Sequence, residues 1–243
     1  MTLPGEAGST ADGAASADGA ASAGAAASAG AAASAGGADA ATPGSVRPGG
    51  RTARVRAAVL EAAGDTLAEQ GFHGLDLAEV ARRADVGKTT VYRRWGTVAG
   101  LVADLLTDMA EQSLPRTRTG SLLEDLLANA ELVRRTLADP RQGALFKAVI
   151  AAATGDARTA EALHRFYEVR VAEWAPCVRQ AVERGELPEG TDAAEVVRAV
   201  SAPLYYRFLT TAEPLDEAAA ERAAKAAVAA ARAGAFVRGP GRG

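Results

Sequence analysis

The sequence predicts an all-α protein, and three features support this fold class. From Arg51 onward, apolar side chains recur at intervals of three and four residues, which places them on one face of an α-helix. No segment shows the strict alternation of apolar and polar residues that marks a half-buried strand. Several periodic segments begin with an aspartate at a capping position. A series of helices is therefore expected.

The first 46 residues differ in composition from the rest of the chain. They repeat the motif "SAGAAA" from Ser22 and again from Ser28, and large apolar side chains are almost absent. Because such a segment has little to bury, we expect residues 1–46 to form a disordered, low-complexity tail. A partner-binding arm is the alternative. A second disordered tail is expected over residues 237–243.

Charge is distributed unevenly along the 243 residues. The chain has a formal net charge of −3, whereas residues 51–95 hold eight Arg or Lys against six acidic residues. Any attraction to nucleic acid must therefore come from this local basic segment. Cys177 is the one cysteine, which excludes an intrachain disulfide. With no long apolar run and no signal-peptide pattern, the sequence predicts a cytoplasmic protein that does not enter membranes.

The first helices have clear start and stop signals, within a domain predicted to span residues 47–97. The first helix ends at Gly71, and its apolar face is formed by Val59, Ala63 and Leu67. Asp76 then occupies an N-cap position with Glu79 three residues later, which is the spacing of a capping box. We expect a short helix to begin at Leu77.

A tight connection and two further helices follow. Residues 84–87 link the short helix to a second one over Lys88–Trp95, and a longer helix begins near Val98. This order is typical of a helix-turn-helix unit, whose second helix enters the major groove of DNA.

The tetrapeptide Gly87-Lys88-Thr89-Thr90 allows two interpretations, because phosphate loops and DNA-reading helices both offer backbone N–H groups to phosphate. A phosphate loop requires a glycine five residues before Gly87, after a buried strand. That position is Arg82, within a predicted helix, which argues against an NTPase.

The side chains of the second helix suit DNA. Lys88 can donate to guanine O6 and N7, and the methyl group of Thr89 or Thr90 can pack on thymine. Three neighbouring residues suit phosphate contact: Tyr92, Arg93 and Arg94. For the two arginines, a solvated basic face is the alternative. The core of the motif is predicted to contain Val86, Val91 and Trp95.

The stretch "AAVLEAAGDTLAEQGFHGLDLAEVARRADVGKTTVYRRWGTVAGLVADLL" resembles the DNA-binding domain of the tetracycline-repressor (TetR) family of transcriptional regulators. "AEQGF", "EVARRADVGKTTVYRRW" and "LVADLL" follow one another in the family's order and spacing. The resemblance implies that Lys88, Thr89 and Thr90 face the bases. It also implies phosphate contacts by Tyr92 and Arg94, with Arg93 between them.

Three positions depart from the family's pattern. Gly87 replaces a serine that often caps the recognition helix, and Thr89 replaces a common glycine. Val98 and Ala99 lie where many members carry a lysine that contacts phosphate. We hypothesise that arginines near the first helix compensate: Arg47, Arg51, Arg54 and Arg56.

Residues 98–236 resemble the family's ligand-binding and dimerisation domains more loosely, through "DPRQGALFKAVI", "AVERGELPEG" and "PLYYRFL". Their helices are predicted over residues 121–137, from 140, over 156–184, from 192, and from Pro214 to near Gly234. Pro176 and Pro203 are expected to interrupt two of these helices. The family implies a homodimer, with the last two long helices of each subunit in a four-helix bundle, and the alanine-rich last helix could pack closely against a partner.

Aromatic residues of this second half indicate a small-molecule pocket. The expected lining is Phe146, Phe166, Trp174 and Tyr205, with Arg170 or Arg207 as a polar anchor. For each aromatic residue alone, an ordinary core position is the alternative.

The sequence thus predicts a ligand-responsive regulator, a repressor released from a palindromic operator by a small hydrophobic or aromatic molecule. His73, His164 and Cys177 lack metal-ligand spacing, and no nucleophile, base and orienting residue form a set. Neither a cofactor, a metal nor catalysis is therefore expected. The alternative is a DNA-binding protein without small-molecule input, architectural or controlled by a protein partner; a cavity in the second half distinguishes the two.

Overall fold

The computed structural model describes residues 48–112 and 119–238, and these ranges contain nine α-helices. The first four are α1 (Pro48–Gln70), α2 (Leu77–Arg83), α3 (Lys88–Trp95) and α4 (Val98–Glu111). The remaining five are α5 (Leu122–Ala138), α6 (Pro140–Ala153), α7 (Ala157–Glu183), α8 (Ala193–Thr210) and α9 (Glu217–Arg232). β pairing in these ranges is limited to one antiparallel bridge, between Thr191 and Val237. The predicted all-α fold class is confirmed.

Side-chain caps explain where several helices begin. Five helices follow an aspartate whose carboxylate accepts from a first-turn N–H: Asp76, Asp139, Asp156, Asp192 and Asp216. The expected start of the last helix at Pro214 is wrong. α9 begins three residues later, at Glu217, because Asp216 accepts from the N–H of Ala219. The capping carboxylate sets this start.

Two clusters of buried apolar side chains hold the helices together. The first joins α1–α4 to parts of α5, α6 and α7, and it contains the fully buried Val80, Val91 and Leu101. The second joins α5, α7, α8 and α9 around Leu126 and Val200. Because α5 and α7 contribute to both clusters, the packing is continuous from the N-terminal helices to α9.

Alanine forms most of the buried face of α9. Small side chains allow a short distance between helix axes, and α9 packs against α5 and α8 of the same chain. The buried residues of this face are Ala219, Ala220, Ala223, Ala224, Ala227, Val228 and Ala231. The alanine stripe expected to meet a partner is thus largely buried within the chain. Ala218, Ala226 and Ala229 remain exposed on the outer side.

α7 and α8 continue through their prolines, Pro176 and Pro203, so neither helix is divided in two. The predicted tail over residues 1–46 lies outside the described residues, as do residues 239–243. Val237 and Arg238, by contrast, pack on the start of α8, where Arg238 Nη2 binds Asp192 at 2.8 Å. No helix in the described ranges is long and apolar enough to cross a membrane.

Candidate nucleic-acid interface and ligand cavity

The turn between α2 and α3 places Asp85 in the left-handed region, at φ 52°. The N–H of Val86 donates to the Ala81 carbonyl at 2.9 Å, and that of Asp85 donates to the Arg82 carbonyl at 3.3 Å. These two bonds define a Schellman motif at the end of α2. Aspartate tolerates this backbone conformation better than most residues that carry a Cβ. The motif ends α2 and sets the direction in which the chain enters α3.

α3 turns one side to the core and the rest to solvent. Val91 is fully buried and Trp95 nearly so, as predicted. At about 100° per residue, Thr89 and Arg93 lie opposite these two. The other α3 residues that were predicted to contact DNA are half-buried in the case of Thr90 and exposed in the remaining cases: Lys88, Thr89, Tyr92, Arg93 and Arg94. The residues predicted to contact DNA therefore share one accessible surface.

The basic residues of α2 are tied to carboxylates. Arg82 Nη2 and Arg83 Nε bind Oε1 of Glu79 at 2.7 and 3.0 Å, and Arg83 also binds Glu69. The hydrogen bond from Arg82, and then that from Arg83, lower the pKa of Glu79 to about 2. The predicted capping box is therefore only half formed: Asp76 caps α2, but the Glu79 side chain binds arginines.

The cations of α3 have no such partners. In the described part of the chain, no carboxylate forms an ion pair with Lys88, Arg93 or Arg94. The Arg94 guanidinium stacks 5.2 Å from the centroid of the Trp95 ring. Gly87 supplies no side-chain cap, as its lack of a hydroxyl predicted, so the first N–H groups of α3 remain available to an anion.

A shared carboxylate fixes α3 against α1 and α4. Asp104 of α4 accepts from Trp95 Nε1 at 2.8 Å and from Arg56 Nη2 at 2.7 Å, and Arg56 also binds Asp108. Burial raises the pKa of Asp104, but the hydrogen bonds from Arg56 and Trp95 outweigh it and lower that pKa. The hypothesis that Arg56 reaches DNA is wrong, because its guanidinium joins α1 to α4.

The other arginines of the first helix differ from Arg56. Arg51 and Arg54 are exposed, and Arg54 Nε donates to the Gly50 carbonyl at 3.2 Å within the same helix. Arg47 lies outside the described residues. Arg51 and Arg54 are thus the described α1 arginines that solvent, or a phosphate, can reach.

α4 begins in direct contact with the end of α3. A Cβ atom at Gly100 would lie 2.4 Å from the carbonyl oxygen of Trp95, far inside van der Waals contact. Only glycine allows this approach of two backbones. Thr97 caps α4 by accepting from the N–H of Gly100 at 3.0 Å.

A cavity of about 680 Å³ lies among α4, α5, α6, α7 and α8, within the size range of small-molecule sites. The predicted pocket residues that line it are Phe146, Phe166, Arg170, Trp174 and Tyr205. These aromatics also belong to the core, because Phe146, Phe166 and Trp174 are buried members of the two apolar clusters. Arg170 reaches the cavity, although its Nη1 donates to Glu173 at 2.8 Å.

Arg207 does not line the cavity, so its assignment as a polar anchor is wrong. Two residues along α8 from Tyr205, it lies roughly 200° around the helix. Its Nη2 binds Glu213 at 2.5 Å.

Four aromatic rings contact one another along the cavity wall. The ring centroids of Phe146 and Phe166 are 5.6 Å apart, those of Phe166 and Tyr167 5.3 Å, and those of Tyr167 and Tyr205 5.5 Å. Burial raises the pKa of both phenols, so both hydroxyls stay protonated.

Three carboxamides line the cavity, and none was predicted from the sequence: Gln112, Asn129 and Gln142. Asn129 of α5 is 3% exposed, and neither its Oδ1 nor the Oε1 of Gln142 on α6 has a hydrogen-bond partner. Asn129 follows Leu126 by three residues, on the buried face of α5. A polar side chain on an apolar helical stripe was the signal that could have found it.

A helix-turn-helix with unpaired cations on its second helix, joined to a helical domain with an aromatic cavity, defines the class of DNA-binding regulators. Two family profiles match: "Bacterial regulatory proteins, tetR family" over residues 59–105, and "Tetracyclin repressor-like, C-terminal domain" over residues 116–227. The chain belongs to the TetR family of transcriptional regulators.

Relatives agree with this assignment. The chain is 31% identical over 161 residues to the uncharacterized HTH-type transcriptional regulator YdeS of Bacillus subtilis, covering 66% of this chain and 81% of that protein. It is 31% identical over 165 residues to the DNA-binding transcriptional repressor TetR of Mycobacteroides abscessus, covering 67% and 85%. The crystal structure of the TetR family transcription regulator SCO0332 matches with a TM-score of 0.59 and 30% identity, covering 72% and 97%.

Proposed function

We propose that this protein is a homodimeric repressor that leaves a palindromic operator when a small aromatic molecule occupies its cavity. The observation that carries the proposal is the cavity of about 680 Å³, lined by the aromatic wall, in the same chain as the helix-turn-helix. A protein that only shapes DNA, or that answers only to a protein partner, has no use for such a cavity. The cytoplasm is its expected location.

Base reading is assigned to the first turn of α3, and positioning on phosphate to its later residues. Lys88, Thr89 and Thr90 read base edges, where a lysine suits guanine and a threonine methyl suits thymine. The phosphate contacts are assigned to Tyr92, Arg93, Arg94 and, from α1, Arg54. Support comes from the accessible surface that these residues share and from the lack of ion-pair partners for the cations of α3 within the described ranges.

Dimerisation is assigned to the outer faces of α8 and α9. Tyr206 is 67% exposed and Leu209 is 46% exposed, which is unusual for large apolar side chains on neighbouring turns of one helix. A second copy of the chain would cover them. Two recognition helices in a twofold dimer then reach major grooves roughly 34–36 Å apart, which requires a near-palindromic operator.

Ligand binding acts on DNA by favouring one arrangement of the helices, with a coupling of about 1–3 kcal/mol expected for such switches. α4 and α6 both border the cavity and both contact the N-terminal helices. At the start of α6, Arg141 Nε binds Asp65 of α1 at 2.5 Å, and the next residue, Gln142, lines the cavity.

The test begins with an operator selected from random DNA by the full-length protein. Sedimentation should then give a dimer that binds this operator, and a cavity ligand should weaken binding about 5- to 150-fold, the range of that coupling. Leu209→Asp should give monomers with low operator affinity, whereas Val169→Asp, at a similarly exposed position on α7, should not. The proposal fails if the protein binds as a monomer. It also fails if a saturating cavity ligand leaves operator affinity unchanged.

A further inference from the structure

Two hydroxyl groups of the cavity wall offer acceptor oxygens to a ligand. The Thr136 hydroxyl donates its proton to the Leu132 carbonyl at 2.9 Å, and the Ser201 hydroxyl donates to the Val197 carbonyl. Each hydroxyl therefore has only oxygen lone pairs left for a ligand. A ligand that meets these groups must bring its own hydrogen-bond donors.

The two unpartnered carboxamide oxygens extend this pattern. Asn129 Oδ1 and Gln142 Oε1 are closed to a water-sized sphere, so water in the cavity does not satisfy them. A buried acceptor without a partner destabilises the empty protein, and a donor brought by a ligand relieves that cost. The terminal torsion of a carboxamide is soft, so rotation about it can turn the oxygen toward a ligand in the cavity.

The guanidinium groups of the wall are already engaged by carboxylates. Arg170 binds Glu173 at 2.8 Å, and Arg198 binds Glu195 at 2.5 Å. Each pair is close to neutral, so neither guanidinium is an unsatisfied anchor for a carboxylate ligand. Glu168 also lines the cavity, and no ion pair of the described residues includes its carboxylate. The cavity therefore combines aromatic surface with acceptor oxygens.

We propose that the effector is a neutral aromatic compound with at least two hydroxyl or N–H donors, recognised by the Asn129 and Gln142 oxygens. The proposal rests on the proposed function only in treating the occupant of the cavity as an effector. It adds the chemical class: phenolic or amide-bearing planar molecules. These are expected to bind in preference to carboxylates, which acceptor oxygens repel, and to quaternary ammonium compounds, which bring no donor.

The test is calorimetric titration of the full-length protein with a trihydroxystilbene and with its trimethoxy counterpart. Both are neutral and have the same carbon frame, but the methylated compound keeps its oxygens as acceptors and has lost every donor. We expect the hydroxylated compound to bind at least about ten-fold more tightly, since each hydrogen bond to a buried acceptor contributes about that factor. Equal affinity, or tighter binding of a stilbene carboxylate or a quaternary ammonium stilbene, overturns the proposal.

Substitutions in the cavity wall test which side chains bind the donors of the ligand. Asn129→Leu has nearly the same shape and removes the unpartnered oxygen, so it should fold at least as stably and lose most of the hydroxyl preference. Gln142→Leu removes the second unpartnered oxygen and tests the same preference independently. Gln180→Leu is the matched control, because Gln180 lies on α7 and does not line the cavity. If Asn129→Leu and Gln142→Leu both keep the full preference, the assignment is wrong.

Operator binding separates this proposal from the proposed function. A hydroxylated stilbene that binds with the expected preference but leaves operator affinity unchanged supports the ligand class and contradicts the switch. A compound of another class that releases the operator from the cavity supports the switch and contradicts the ligand class.

Discussion

The two helices of the helix-turn-helix are almost equal in length and differ in how their charges are used. α2 begins at the Asp76 cap, and both of its arginines bind Glu79. α3 begins without a side-chain cap, and none of its cations pairs with a carboxylate of the described residues. Adjacent helices of seven and eight residues thus have opposite electrostatic arrangements.

This difference separates support from recognition. Pairing within α2 lowers the free energy of the folded state, but it leaves little charge for a ligand. α3 receives its stability from its buried side, through Val91 and through the bond from Trp95 to Asp104. Its outer side is then left for DNA.

The largest expected effect comes from removing the buried anchor of α3. Trp95→Ala deletes a large core side chain and its hydrogen bond to Asp104, so the free energy of unfolding should fall by about 3–5 kcal/mol. Tyr92 lies on the outer side of the same helix and is 48% exposed. Tyr92→Ala should therefore change the free energy of unfolding by less than about 0.5 kcal/mol. Urea denaturation measures both, and similar losses would contradict the division of α3 into a buried and an outer side.

Operator recognition should separate α3 from α2. Lys88→Ala should cost about 1–3 kcal/mol of operator affinity and change the preferred bases, because it removes a contact to base edges. Arg82→Ala should leave base preference intact, since that guanidinium is bound to Glu79. Selection of binding sites from random DNA reports the preferences, and an altered preference in Arg82→Ala would break the comparison.

Removing the cap of α2 should have a smaller effect on stability. Asp76→Ala leaves the N–H groups of Ala78 and Glu79 without their acceptor, which should cost about 1 kcal/mol. Asp76→Asn retains an acceptor oxygen and should lose much less. Thermal unfolding of the two variants distinguishes loss of the cap from a nonspecific effect at this position.

Acid should weaken α2 through Glu79. Its pKa in the folded protein, about 2, lies below the ordinary value of 4.5. The stabilisation is therefore present above about pH 4.5 and is lost as the pH falls toward 2. Glu79→Gln should be less stable than the parent at neutral pH and should lose less stability over this interval. Parallel stability curves for the two proteins would contradict the assignment.

The smallest effect is expected from giving α3 the cap that α2 already has. Gly87 has φ −59° and ψ 130°, and a Cβ there would meet only Thr90 Oγ1 at 3.9 Å. Gly87→Ser should therefore stabilise the protein by a few tenths of a kcal/mol through a bond to a first-turn N–H. Gly87→Ala adds the same carbon without the oxygen and should give no gain.

Local signals in the sequence predicted the helices better than the contacts between them. Asp76 and Asp192 mark helix starts because a cap acts on backbone only two or three residues away. The partner of Arg56 is 48 residues away in Asp104, and no local pattern identifies that pair. Asp85 escaped notice for a related reason: the usual marker of a left-handed C-cap is glycine.

The cavity shows the same limit. Spacing along α7 and α8 brought Phe166, Trp174 and Tyr205 to one side, as expected. The use of each polar side chain could not be read in this way, because it depends on neighbours from other helices. Arg170 and Arg207 were equivalent candidates in the sequence, yet one reaches the cavity and the other binds Glu213.

The backbone contact at Gly100 couples α3 and α4, so that the two helices are expected to move as one rigid unit. Since no side-chain atom separates the first turn of α4 from the Trp95 carbonyl, repacking cannot absorb a change in their angle. The far end of α4 borders the cavity at Met109 and Gln112. At 1.5 Å per residue, α4 is about 21 Å long, so a tilt of about 5° at the cavity displaces α3 by roughly 2 Å. Because Gly100 has no side chain, α3 and α4 should therefore be as stiff as one longer, bent helix.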